Sequence, residues 1–158
     1  MDGSAVIALA KRLAGWKVFV MPSFDLSAEE AKYRQNLSAL RLGLMGLHKT
    51  LIDSEKAVYE ETFGEINSPN QFLQLLISDP WFAWLHPISE LVVVIDEMLE
   101  AKEAVTGANA VAIVKQTKAL LVASEEGQGF PRSYYEALQR EPDVVMAHAE
   151  VVKCLKAF

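Results

Sequence analysis

The chain has one cysteine, Cys154. An intrachain disulfide is therefore excluded, and with no CxxC partner nearby the expected state is an inert, partly apolar thiol in a reducing compartment. Basic residues are also scarce: Lys and Arg total 15 against 21 Asp and Glu, a formal net charge of -6. No basic face can be assembled, which argues against a general nucleic-acid binder. No uncharged apolar run reaches the roughly 18 residues a membrane span needs. Lys11, Arg12 and Lys17 interrupt the N-terminal run, and Asp2 stands where a signal peptide would carry positive charge. Strand-like alternation and internal repeats are absent. The glycine-containing stretch Glu125-Glu-Gly-Gln-Gly129 lacks the preceding strand and the GK[ST] ending of a phosphate cradle.

What is present is helical patterning in a chain that is 51% hydrophobic and 23% charged, the balance of an ordinary globular domain. The organising stretch is Ser68 to Ala101. Ser68-Pro69 with Gln71 is a helix-start signal, and Asp79-Pro80 repeats it. At about 100° per residue, Trp81, Trp84, Leu85, Ile88, Leu91, Val92, Ile95, Met98 and Leu99 share one broad face. His86, Glu90, Glu97 and Glu100 fall opposite, with His86 and Glu90 expected as a solvated pair or a partner contact. Pro87 predicts a kink or break. The tryptophan pair reads as core in preference to a cofactor box.

Ser27-Ala-Glu-Glu30 is a capping box that opens a long helix to about Phe63, with Gly64 as its stop. Gly43 and Gly46 inside it are expected to mark close helix packing. Further helices are expected over 108–124, 131–140 and from 142 to the end, the last with Val144, Val145, His148, Val151, Val152 and Leu155 inward. The fold class predicted is all-α: a four-helix bundle core from about 27–63, 80–103, 108–124 and 142–158, with short accessory helices. Residues 1–25 are expected to form an N-terminal helical arm and linker, and 26–158 a single bundle domain. The arm reads as a segment that folds on the bundle or makes an oligomer contact, with a membrane-surface helix as the alternative.

Several polar residues occupy the apolar side of this pattern. On the long helix Glu55 falls among the core leucines and His48 lies within about 20° of it, with Arg41 and Tyr59 farther round the same edge. His148 sits mid-stripe on the last helix, Thr117 points inward, and Asp96 and Ser89 stand at the margin of the central helix. A buried carboxylate must be neutral, paired or facing a cavity. Three readings are open for Arg41, His48, Glu55, Tyr59 and His148: a structural network, a small-molecule pocket between helices, or a metal site of two histidines and carboxylates. Acid/base catalysis would use the same residues. The Glu-x-x-His pairs of di-iron bundles are missing, since Met45 and Val145 stand where the glutamates would.

SPNQFLQLLISDPWFAWLHPISELVVVIDE and YYEALQREPDVVMAHAEVVKCL resemble segments of a group of small bacterial all-α proteins to which no activity is attached. The likeness spans most of residues 27 to 158 and leaves out the first 25. It implies a bacterial, cytoplasmic setting and no mechanism. The expected function is therefore a non-enzymatic binding or interaction module for a partner protein or small ligand. No cofactor, nucleic acid or membrane span is expected. Val93 and Val94, which border the polar face of the central helix, and the apolar N-terminal segment point to a homo-oligomer, most simply a dimer. The alternative is a metal-binding protein or acid/base enzyme built on Glu55, His48 and His148.

Overall fold

Leucines at 37, 40, 44, 47 and 51 recur at three- and four-residue steps, and all five are fully buried. That spacing fixes one stripe of a helix against the core. A computed structural model describes residues 26–158. The predicted N-terminal arm over 1–25 lies outside the described residues. Those described are all-helical, with no strand: α1 (Leu26–Phe63), α2 (Pro69–Ser78), a 3-10 turn (Ala83–Leu85), α3 (His86–Glu100), α4 (Gly107–Leu120), α5 (Phe130–Arg140) and α6 (Pro142–Leu155). No described helix is long and apolar enough to cross a membrane.

The local signals act as their chemistry requires. Gly64 ends α1 at φ +98°, a backbone conformation that side chains disfavour. Ser68 Oγ accepts the Gln71 amide at 3.1 Å, while Gln71 Oε1 reaches back to the Asn67 amide at 3.0 Å. Asp79 Oδ1 accepts the Trp81 amide at 2.8 Å, so the chain turns there. Pro87 sits in the first turn of α3, where its missing amide costs nothing, and the expected break falls just before it. Thr106 and Asn109 close a reciprocal capping box on α4.

α1 is the spine: it packs most extensively on α6 and next on α3, and also meets α4 and α5. Its N-terminal turns hold the α3–α4 connection. Arg34 Nη1 donates to the Leu99 carbonyl at 2.8 Å, and Glu30 Oε1 accepts both Arg34 Nε at 2.9 Å and the Val105 amide at 3.2 Å. These bonds, Arg34 foremost, hold the Glu30 carboxyl below the usual carboxylate range.

Val145, predicted to face inward on the last helix, is exposed, and two further features depart from the expected pattern. Phe82, off the predicted apolar face, is fully buried. Residues 80–85 form a turn and a 3-10 segment, and this changes the angular phase from the 100° step used to project them. α5, expected as an accessory helix, places Tyr134 and Ala137 fully inside the core.

Candidate functional site

The polar edge of α1 is divided between its neighbours. Arg41 is drawn to α3, where its Nε pairs with Asp96 Oδ1. Glu55, with only a tenth of its side chain exposed, is met by Arg140 at the end of α5: Nη2 donates to Glu55 Oε1 at 2.9 Å, and Nε and Nη2 donate to Ser54 Oγ at 3.1 and 2.9 Å. The buried carboxylate is therefore paired, which removes the cost of leaving it alone. The cleft beside this cluster, about 530 Å³, is lined by Lys49, Asp53, Glu61 and Asp143 among others. Its walls are mixed in charge and solvated.

Tyr59 belongs to an aromatic cluster: its ring lies 4.8 Å from Phe63, 5.5 Å from Phe82 and 5.9 Å from Trp81. Phe72 of α2 joins through Phe82 at 5.9 Å, with Lys56 Nζ 5.1 Å above the Phe72 ring. The Trp81 Nε1 atom is buried without a hydrogen-bond partner among the described residues, its ring meeting Tyr59 and Phe63 edge to face.

His148 lies on α6, where its Nδ1 and the Tyr134 hydroxyl share a hydrogen bond of 2.5 Å. Burial pushes the Tyr134 phenol up and holds the His148 imidazole below its usual value, so both are neutral near pH 7. Phe130 and Trp84 extend this second aromatic cluster. Cys154 on the same helix has its thiol pushed up by burial and then by Glu150, so the thiolate is disfavoured.

His48 has a different setting. It faces a cavity of about 340 Å³ between α1, α2 and the start of α3, whose apolar walls include Ile52, Leu76, Ile77, Phe82 and Leu85. His86 and Ser89 add the other polar side chains. His86 Nε2 lies 2.8 Å from the Leu76 carbonyl. Because a carbonyl only accepts, Nε2 carries the proton, and His86 ties α2 to α3 instead of standing in solvent beside Glu90. His48 has no hydrogen bond or ion pair among the described residues. Burial, then the charge of His86, holds its imidazole below the usual value, so it is neutral near pH 7 and offers one free acceptor and one free donor.

Of the five residues singled out from sequence, the structure thus ties Arg41 to Asp96, Glu55 to Arg140 and His148 to Tyr134, places Tyr59 among aromatics, and leaves His48 facing an open cavity. No group of three or more His, Cys, Asp or Glu among the described residues could hold a metal ion. Arg140, Phe82 and His86 carry parts of these arrangements that sequence reasoning did not assign. The signal for Arg140 is only its place in the last turn of α5; nothing local links it to Glu55, 85 positions away. No protein-family model, curated protein or solved structure matches the chain.

Proposed function

We propose that this protein is a binding module, and that a small, largely apolar ligand seats between α1, α2 and α3 with His48 orienting it. The observation that carries this reading is the His48 imidazole, unpartnered among the described residues, facing an apolar cavity of about 340 Å³. Sites of this kind pair apolar walls with a few polar groups that set orientation. A neutral imidazole selects a ligand with one hydroxyl or similar hydrogen-bonding head, such as a phenol or a medium-length alcohol. α2 contributes no fully buried residue, so the wall it forms is the one that yields to admit a ligand.

The scaffold for this reading is a four-helix core of the long helices α1, α3, α4 and α6, in a cytoplasmic bacterial protein as the segment resemblance implies. Leu42 and Met45 on α1 and Val93 and Val94 on α3 are exposed and favour self-association as a dimer; light scattering on a concentrated sample tests that part.

Titration with p-cresol and 1-hexanol, followed by amide NMR, tests the site. Shifts confined to residues around 48, 76, 82 and 86, lost in a folded His48→Leu variant, support it. Equal binding by His48→Leu would refute it, as would stoichiometric zinc on protein purified without chelator, which would favour the metal-binding alternative.

A further inference from the structure

A second groove lies at the opposite end of α1, between α4 and the C-terminal turn, with a volume of about 520 Å³. Its apolar lining comes from Ala110, Val111 and Val114 of α4 with Leu155 and Phe158. Val111 is 54% exposed and Phe158 37%, so these side chains stand open to solvent while Ile113 and Thr117 of the same helix face the core. Lys115 and Lys118 complete the lining, and no acidic side chain among the described residues belongs to it. In a chain of net charge -6, that local excess of positive charge is the feature to explain. Neither lysine has an ion pair or hydrogen bond among the described residues. Tyr33, also in the lining, is engaged by Glu29, its hydroxyl donating to Glu29 Oε1 at 2.9 Å.

The order of residues along α4 gives the groove a direction. Val111, Val114, Lys115 and Lys118 follow one side of the helix at three- and four-residue steps, apolar first and basic last. The distance from Val111 to Lys118 is about 10 Å at the helical rise. Lys118, in the last turn, also complements the helix dipole; Lys115, a turn earlier, has no such role.

We infer that this groove binds a free medium-chain alkyl carboxylate, with the chain over the valines, Leu155 and Phe158 and the head between Lys115 and Lys118. Apolar burial supplies the attraction, and the two ammonium groups select an anionic head over a neutral or cationic one.

The test titrates the full chain, by calorimetry and amide NMR, with decanoate, decanol and decyltrimethylammonium below their micelle concentrations. Decanoate is expected to bind, with shifts confined to α4 and residues 155–158, and the other two to bind at least about tenfold more weakly. The double variant Lys115→Glu/Lys118→Glu should lose decanoate affinity by about tenfold or more, the sum of two part-solvated ion pairs. Lys153→Glu, on the outer side of α6, should not change it. Val111→Trp, at an exposed position, should block the groove. Equal binding of all three amphipaths, undiminished affinity in the double variant, shifts around His48 only, or binding to anionic vesicles without binding to free decanoate would each overturn the proposal.

Discussion

The two flanks of α1 treat their polar residues in opposite ways. Toward α5 and α6, Glu55 and Ser54 are held by Arg140, and His148 on the facing helix is held by Tyr134. Toward α2 and α3, Arg41 finds Asp96 at a position about a third exposed, while His48 is left facing a cavity. The first flank closes its polar groups into pairs, through contacts distant in sequence, beside a solvated cleft. The second is covered by α2, a ten-residue helix with no fully buried side chain. A polar residue on a buried face is thus structural where a partner reaches it, and a candidate for binding where none does among the described residues.

Removing the partner on the closed flank should have the largest effect. Arg140→Ala leaves Glu55 buried without a counter-charge and is expected to cost about 2 kcal/mol in urea denaturation, below the figure for fully buried pairs because the guanidinium is a third exposed. The matched change on the open flank, Arg41→Ala, should cost under about 1 kcal/mol, since both partners are solvated. Equal costs would erase the contrast.

The histidines sharpen it. Tyr134→Phe deletes a buried hydroxyl and strands His148 Nδ1, at about 1 kcal/mol. His48→Leu breaks no bond and should leave the unfolding free energy within about 0.5 kcal/mol of the parent. A larger loss would reveal a structural role for His48. In the opposite direction, Gly46→Ala should stabilise α1 by up to about 1 kcal/mol, because a methyl there meets nothing within 4 Å. Gly43 faces Val151 and Cys154 at ordinary contact distance, so only at that position is close helix packing visible.

The smallest expected effect is pH dependence. Burial holds both His48 and His148 below their usual value, so between those lowered values and about pH 6.5 the folded chain binds fewer protons than the unfolded one. Their contribution to stability is complete above about pH 6.5 and is lost as pH falls through the folded-state values. Denaturation midpoints at about pH 7.5 and about pH 5 should show that loss, and His48→Gln or His148→Gln should each reduce it. A parent midpoint unchanged between the two would contradict this assignment.

Much of the architecture was legible because its causes are local. The capping of α2 by Ser68, the stop at Gly64, the turn at Asp79-Pro80 and the five-leucine stripe each arise from residues within a turn or two of one another. Phe82 escaped because a 3-10 segment changes the angular step. The polar edge was legible as a set of residues but not as a set of pairs. Angular position places Arg41, His48 and Glu55 along one side, whereas Asp96 and Arg140, 55 and 85 positions away, decide what Arg41 and Glu55 do.

Composition and periodicity by themselves determined that the described residues are all-helical and which faces of most of their helices are apolar, because backbone hydrogen bonding and the 3.6-residue repeat act over a few residues. Only the tertiary structure decided which buried polar groups are neutralised and which are not, because that depends on side chains brought together by packing from distant parts of the chain. His48 is a site candidate for that reason: the helices that meet around it supply apolar walls and a second imidazole, and no partner for its own.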